Sequence, residues 1–287
     1  MNSKKLCSNV TLLLAGFFFL GLAPFPLHAL PLRVQSNGSF GLDFTNNQEH
    51  SFTGEIYTFV NHASDHWDPA LLTYNGVQNV LEVSERYHVP RIGVLARLKD
   101  PSYEFYQRGQ VDVEAESQAG QTRFQFPNAK AFIISGGNLA MCLCELLRDL
   151  INSSAHPGEP LRIFLVTDAV YDDTYHWPKS LERKMKSEPR FTLAELVDAT
   201  SADRAPLNGY FQQWLVGVNE PFCPVQNNFK FPDVPKDRVG FSFFIGTQPL
   251  TASDPDKALQ VEFIMTPSNE FGATLQAWGA VQKTNSP

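Results

Sequence analysis

The chain has 287 residues, of which 43% are hydrophobic and 18% are charged, and its formal net charge is −7. This composition is that of a globular protein, and it excludes a collagen-like, coiled-coil or wholly disordered chain. The excess of acidic residues excludes a broad basic surface for nucleic acid. The length is sufficient for one large domain whose core needs no disulfide or metal in order to fold.

The N-terminal residues 1–29 have the pattern of a secretory signal peptide. Lys4 and Lys5 precede an apolar stretch over residues 12–25, and Ala29 supplies the small side chain expected at a cleavage site. The apolar stretch is shorter than the roughly 20 residues that cross a bilayer, although a retained anchor stays an alternative. We therefore expect a secreted or periplasmic protein that is cleaved after Ala29.

Behind the leader, strand-like and helix-like patterns alternate along the chain. Short apolar runs bounded by turn residues predict strands, and apolar residues at helical spacing predict helices between them. This alternation predicts an α/β fold with a mainly parallel sheet and helices on both of its sides. The predicted strands are 54–60, 91–98, 131–135 and 161–166, and the predicted helices begin near residues 69 and 139.

Past Cys223 the sequence becomes β-rich. Runs of strand-forming residues are separated by Pro, Gly, Ser, Asp and Asn, which favour turns. We expect an antiparallel β addition, built from strands at 241–245, 259–265 and 274–281, at the sheet edge or as a small subdomain. The predicted organisation is a signal peptide at 1–29, an irregular arm at 30–50, an α/β core at 51–222 and a β-rich extension at 223–287.

Two local signals concern the boundaries of helices. The dipeptide Asn75-Gly76 could divide the first helix, because both residues favour turns. Thr192 followed by Glu195 has the spacing of a capping box, in which two side chains satisfy backbone groups at the start of a helix. A helix is therefore predicted to begin directly after Thr192.

Candidate chemistry concentrates after the strand at 131–135. Gly136 and Gly137 form the predicted turn, Asn138 is the predicted helix N-cap, and Cys142 follows within the first helical turns. Ligands of open α/β sheets bind beyond the carboxyl ends of the strands, and a helix N-terminus favours a thiolate. Backbone groups of Gly137 or Asn138 could hold an oxyanion there. The alternative is that Cys142 is a small buried apolar residue.

The segment from Ile133 to Leu150 (IISGGNLAMCLCELLRDL), followed by IFLVTDA at 163–169, resembles the isochorismatase-like cysteine hydrolases, which include the nicotinamidases. That family has an apolar strand, a glycine, and the nucleophilic cysteine six residues later, as Gly136 and Cys142 are here. The resemblance implies that this α/β fold is a Rossmann-like three-layer sandwich with a mainly parallel sheet. It also implies that Cys142 attacks an amide carbonyl and forms a covalent acyl intermediate.

The chain departs from the family pattern at two catalytic positions. Where the family has an aspartate at the end of its first strand, this sequence has Asn61, and Asp65 stands four residues further on. Lys99, after the second strand, is the nearest stand-in for the family's lysine. The resemblance thus implies a site of Cys142, Asp65 and Lys99. The departures leave open a relative that keeps the scaffold without the hydrolysis.

Other residues are predicted to surround this site. We expect Asn61, Trp67, Gly137 and Asn138 to bind the substrate, and the acidic pair at 172–173 could contribute to the pocket rim. His62 and His66 would share one helix face and could bind zinc with a carboxylate, but the stretch is more typical of a loop. We therefore predict neither a metal nor a cofactor.

The cysteines left after leader removal are odd in number. They are Cys142, Cys144 and Cys223, so a disulfide from Cys223 to either of the others stays open.

Two alternative functions are predicted. The first is an exported cysteine-dependent hydrolase of a small amide or related carbonyl compound, and the second is a noncatalytic exported binding or host-interaction protein on the same scaffold. The expected partner is a small-molecule ligand, with self-association open, no nucleic acid, and no membrane span once the leader is removed.

Overall fold

A computed structural model gives the fold of the chain. It describes residues 41–44, 54–61, 69–95, 106, 109–118, 126, 128–140, 143, 146–147, 150–151, 154, 158–173, 190–216, 239–251 and 256–281. The predicted signal peptide and its cleavage site after Ala29 lie outside these residues.

The described residues form strands and helices that alternate through most of the chain. The strands are β1 Gly41–Phe44, β2 Ile56–Asn61, β3 Arg91–Leu95, β4 Val113–Gln118, β5 Ala131–Gly136, β6 Leu161–Val166, β7 Tyr171–Asp173, β8 Arg190–Thr192, β9 Val239–Ile245, β10 Gln248–Thr251 and β11 Leu259–Thr266. The helices with described bounds are α1 Pro69–Arg86, α2 Leu193–Ala199, α3 Ala205–Val216 and α4 Phe271–Ala277. Within these ranges, no helix combines the length and the apolar character needed to cross a membrane.

A mixed, mostly parallel sheet forms the centre of the described structure and gives the protein an α/β fold. Its strand order is β1-β4-β3-β2-β5-β6-β11-β9-β10. The seven inner strands are parallel to one another, whereas β1 and β10 pair antiparallel at the two edges. β7 and β8 form a separate antiparallel pair. The predicted class and the mainly parallel sheet are thus confirmed.

The central strands β5 and β6 are apolar on both sides because both faces of the sheet are covered there. All six residues of β5 are buried, as is expected of a strand without a solvent face. Successive side chains of a strand point to opposite faces, and the buried apolar residues accordingly form two clusters. Phe59, Ile134 and Leu165 belong to the first cluster, and Val60, Ile133 and Val166 belong to the second.

Different helices complete the two clusters. After β5, Leu143, Leu146, Leu147, Leu150 and Ile151 are helical and buried, and we call these five residues the leucine segment. The leucine segment, α2 and α3 pack in the first cluster, whereas α1 and α4 pack in the second. The apolar residues whose helical spacing predicts a helix after residue 139 therefore pack on the sheet.

The C-terminal strands extend the parallel sheet, so the predicted antiparallel addition is wrong. β11 lies between β6 and β9 and is parallel to both, and β10 alone of these strands is antiparallel to its neighbour. Turn residues between apolar runs predict reversals of the chain, but they do not define the direction of the strands that pair. The β10 strand returns the chain along β9, so β11 can start at the same end of the sheet as β9.

The last predicted strand, over residues 274–281, is also wrong. Residues 271–277 form α4, whose Phe271 and Leu275 are buried four residues apart on one helical face. Both side chains pack in the second cluster, together with residues of α1. Tertiary packing here overrides the strand propensity of a short apolar run.

The N-terminal arm is not irregular throughout. Gly41–Phe44 form β1, which pairs antiparallel with β4 from Gly41 opposite Gln118 to Phe44 opposite Ala115. This pairing supplies partners for backbone groups that β4 would otherwise expose at the sheet edge. The polar composition of 30–50 predicts a loop, but backbone pairing is open to polar sequences as well.

Candidate functional site

The topology creates a switch point between β2 and β5. The chain runs from β2 through β3 to β4 on one side of the sheet, and from β5 to β6 on the other. In open α/β sheets, the crevice at such a reversal, beyond the carboxyl ends of the strands, is where ligands bind. Asn61 ends β2 and lies opposite Gly136, which ends β5. Asn61 and the first glycine of the predicted turn, Gly136, are thus neighbours across the two strands.

The turn after β5, residues 136–140, is called here the switch-point turn. Gly136 and Gly137 both have positive φ, 69° and 79°, where side chains other than glycine are strained. A Cβ on Gly137 would lie 2.9 Å from Asn61 Nδ2, and one on Gly136 would overlap the carbonyl oxygen of Asn61. The turn therefore requires glycine for conformation and for close packing on Asn61, which is only 1% exposed.

Asn138, the predicted helix N-cap, bonds to the chain that leaves this turn. Its Oδ1 accepts a hydrogen bond from the backbone N–H of Ala140 at 3.0 Å, and its carbonyl oxygen accepts one from the N–H of Leu143 at 3.0 Å. Its Nδ2 donates to Oδ2 of Asp173 at 3.0 Å. The side chain is 1% exposed and bonded at both ends, so it holds the turn and leaves only its backbone to contact a ligand.

Backbone bonds attach the switch-point turn to the segment that follows β6. The N–H of Gly136 donates to the carbonyl of Ala169 at 2.6 Å, and the N–H of Leu139 donates to the carbonyl of Tyr171 at 2.8 Å. From α3, the indole Nε1 of Trp214 donates to the carbonyl of Leu139 at 2.7 Å. Two other parts of the chain thus fix the turn.

The β7–β8 pair carries a buried acidic group behind the turn. Asp172 is fully buried, and its Oδ2 accepts a hydrogen bond of 2.5 Å from the hydroxyl of Tyr210 on α3. Its Oδ1 accepts the N–H of Asp173 at 2.7 Å. Burial, and secondly the charge of Asp172, raise the pKa of Tyr210 well above its ordinary value. Asp172 therefore stabilises the site from within and does not form its rim.

Sequence reasoning missed three residues that support the site: Arg190, Tyr210 and Trp214. Tyr210 and Trp214 share one face of α3 because they are four residues apart. An apolar, aromatic helix face predicts a core position, and both side chains are in the core cluster. Nothing in the sequence links the indole of Trp214 to Leu139, which is 75 residues earlier, or the hydroxyl of Tyr210 to Asp172, which is 38 residues earlier.

The described structure brings together three of the predicted site residues, Asn61, Gly137 and Asn138. The predicted nucleophile Cys142 lies outside the described residues, between Ala140 and Leu143, which are both buried. The other predicted site residues outside the description are Asp65, Trp67 and Lys99, and Cys144, Cys223, His62 and His66 also lie outside it. Among the residues that are described, no group of three His, Cys, Asp or Glu side chains could hold a metal ion.

A second polar cluster lies at the same edge of the sheet, after β6 and β11. Asp168 accepts the N–H of Ser268 at 2.7 Å and the hydroxyl of Ser268 at 2.5 Å. Asn79 of α1 donates its Nδ2 to Oγ of Ser268 at 2.9 Å. We call these three residues the Asp168 latch, because they fasten α1 to the ends of two strands.

Comparison of the chain with known proteins gave no match to a family model, to a curated protein or to a solved structure. The likeness to the isochorismatase-like hydrolases therefore rests on the residues of the segment 133–150 and on the strand that follows it.

Proposed function

We propose that the protein is an exported cysteine-dependent hydrolase of a small amide or related carbonyl compound, built on a Rossmann-like three-layer scaffold. The observation that carries the proposal is the switch-point turn, which lies where such sheets bind ligands. This turn ends at residue 140, two residues before Cys142. Its backbone is determined by glycines with positive φ, by the hydrogen bonds of Asn138 and by the contact with Asn61. The two core clusters support the three-layer scaffold.

The chemistry proposed for the site is acyl transfer through the thiol of Cys142. The thiolate sulfur bonds to the carbonyl carbon, the C–N bond breaks, and the amine leaves with a proton. Water then attacks the thioester, which releases the carboxylic acid and restores the thiol. Asp65 is proposed as the base and Lys99 as the electrostatic helper, in line with the resemblance, because the amide of Asn61 cannot accept a proton in this role.

The hydrolase is tested with two matched cysteine variants of the mature protein. Release of ammonia from a panel of small primary amides is measured for the wild type, for Cys142→Ala and for Cys144→Ala. We expect Cys142→Ala to abolish turnover while the melting temperature stays within a few degrees, and Cys144→Ala to retain turnover. Turnover that survives in Cys142→Ala contradicts the proposed nucleophile.

The labelling rate of the thiol provides a test that needs no substrate. Alkylation of each cysteine is followed against pH by peptide mass spectrometry. We expect Cys142 to be labelled with a midpoint well below the ordinary thiol value of about 8.5, as for an activated thiolate. Cys144 and Cys223 are the internal controls. A midpoint at or above the ordinary value contradicts the hydrolase.

A second function, noncatalytic binding of a small molecule on the same scaffold, is favoured by Asn61. This buried amide stands at the end of β2, where the family that the sequence resembles has its catalytic aspartate. Asn61→Asp tests this alternative, since it supplies the missing carboxylate beside the switch-point turn. Hydrolysis that appears only in Asn61→Asp supports the binding protein, and turnover by the wild type contradicts it.

A further inference from the structure

We infer that Asp173 is a positioning residue, which fixes the direction of the Asn138 carboxamide and thereby the geometry of the switch-point turn. Its consequence for catalysis rests on the proposed function.

The direction of the Asn138 side chain follows from the groups at its two ends. A carboxamide has a donor at nitrogen and an acceptor at oxygen. The N–H of Ala140 can only donate, so it requires the oxygen of Asn138, at 3.0 Å. The carboxylate of Asp173 can only accept, so it requires the nitrogen, also at 3.0 Å. A reversed amide would face a donor with a donor and an acceptor with an acceptor.

Asp173 is itself held by a third group. Its Oδ1 accepts Nε of Arg190 at 3.1 Å, and both side chains are mostly buried. The guanidinium carbon of Arg190 lies 5.8 Å from the centre of the Tyr171 ring, at the other end of the β7–β8 pair. The hydrogen bonds thus run from Arg190 to Asp173, and from Asn138 to the same carboxylate, with every donor facing an acceptor.

The same strand also binds the backbone of the turn. Tyr171, two residues before Asp173, accepts the N–H of Leu139 at 2.8 Å and donates its own N–H to the carbonyl of Gly137 at 3.3 Å. A shift of the Asn138 side chain away from Asp173 would therefore disturb the turn at its cap while its backbone stays attached. This separation makes a positional effect measurable without loss of the fold.

Asp173→Asn breaks this arrangement in either orientation of the new amide. If its oxygen accepts from Asn138, its nitrogen faces Nε of Arg190, and two donors meet. If its oxygen accepts from Arg190, its nitrogen faces Nδ2 of Asn138, and two donors meet again. Asn138→Asp alone places two carboxylates against each other.

The double variant Asn138→Asp/Asp173→Asn reverses the polarity of the pair and restores every bond. The carboxylate introduced at position 138 accepts from the N–H of Ala140 and from the nitrogen of the amide introduced at position 173. The oxygen of that amide accepts from Nε of Arg190. The net charge of the pair is unchanged.

The experiment uses the whole mature protein and two readouts, the hydrogen exchange of the Ala140 N–H and the alkylation of Cys142 against pH. For each single variant we expect exchange to be about tenfold faster and the limiting alkylation rate at high pH to change about fivefold or more. In the double variant we expect both values to return to within about twofold of the wild type. Its labelling midpoint should rise, because a carboxylate now lies closer along the chain to the thiol.

Controls keep the test decisive. Asp198→Asn, at an exposed carboxylate of α2, should leave both readouts unchanged. Asn138→Ser keeps a capping oxygen and loses the reach to Asp173, so it should reproduce the change in alkylation if Asp173→Asn fails to fold. Wild-type values in the single variants, or no recovery in the double variant, overturn the inference. Neither readout needs turnover, so failure of the proposed hydrolase would show separately, in the amide assay.

Discussion

The carboxyl edge of the sheet carries two polar clusters that differ in what they hold. The Asp168 latch joins whole elements, since Asp168 follows β6, Ser268 follows β11 and Asn79 belongs to α1. The cluster around Asn138 and Asp173 instead holds one short turn with positive-φ glycines. Both satisfy buried polar groups, as folding requires. They differ because only the second restrains a turn whose positive φ values require glycine.

This difference indicates how a structural cluster can be told from one that supports a site. Breaking the latch should loosen the packing of α1 and lower stability without any local effect at the switch point. Breaking the contacts of the switch-point turn should change the labelling rate of Cys142 as well as lower the free energy of unfolding. Each of the following changes tests that distinction, and the free energy of unfolding and the labelling rate of Cys142 are the two quantities to compare.

The largest effect is expected from Gly137→Ala. Its Cβ would lie 2.9 Å from Asn61 Nδ2, at a φ of 79°. Strain and overpacking together should lower the free energy of unfolding by about 3 kcal/mol. Chemical denaturation measures this loss, and labelling of Cys142 should change with it.

Gly158→Ala is the matched control for that change. Gly158 also has a positive φ, 93°, but a Cβ there would meet no atom within 4 Å. We expect strain alone, about 1–2 kcal/mol, and wild-type labelling of Cys142. Equal losses in the two variants would contradict the claim that Gly137 is required for packing against Asn61.

The next effect is expected from Tyr210→Phe, which removes the hydroxyl bonded to the buried Asp172. Loss of a hydrogen bond to a charged group should lower the free energy of unfolding by about 2 kcal/mol at neutral pH. Equilibrium denaturation at pH 7 measures it. A variant as stable as the wild type would show that the short bond to Asp172 contributes nothing.

The pH dependence of this variant follows from the raised pKa of Tyr210. Above pH 10 the unfolded chain releases the phenol proton while the folded chain keeps it, so the contribution to stability is present below pH 10 and declines as the pH rises. Tyr57, whose pKa burial raises to about 12, acts in the same direction between pH 10 and 12. Tyr210→Phe and Tyr57→Phe should each make the alkaline loss of stability less steep. An unchanged slope in both would contradict this.

The sequence predicts the elements whose signals are local. The apolar runs of β5 and β6 mark buried strands, and the glycines after β5 mark a turn. Thr192 and Glu195 form both bonds of the predicted capping box. These signals succeed because their causes, strand burial and capping, lie within a few residues of chain.

Relations between distant residues are the part that the sequence could not supply. Gly76 does not divide α1, because a Cβ there would lie 2.5 Å from the carbonyl oxygen of Asp168, so the glycine admits close packing of the helix. The parallel direction of β11 and the helical state of α4 are likewise set by partners elsewhere in the chain. The bond between Tyr210 and Asp172 joins residues 38 apart, and nothing local to either residue predicts it.

A smaller effect is expected from Ser268→Ala, which opens the Asp168 latch. The hydroxyl bonds to Asp168 and Asn79 are lost, while the N–H of residue 268 still donates to Asp168. We expect the free energy of unfolding to fall by about 1–2 kcal/mol, because the carboxylate keeps one of its two donors. Urea denaturation measures the loss. Labelling of Cys142 should match the wild type, and altered labelling would erase the contrast between the two clusters.

The smallest effect is expected from Thr192→Ala, at the capping box where β8 ends and α2 begins. The N–H of Glu195 loses its side-chain acceptor, which should lower the free energy of unfolding by about 1 kcal/mol. Thr192→Ser retains the hydroxyl and should restore most of that loss. Thr192 lies two residues from Arg190, so this change weakens the same strand without touching the Asp173 carboxylate. If Thr192→Ala nevertheless alters Cys142 labelling as Asp173→Asn does, the turn responds to the general stability of the β7–β8 pair, and the specific role of Asp173 is contradicted.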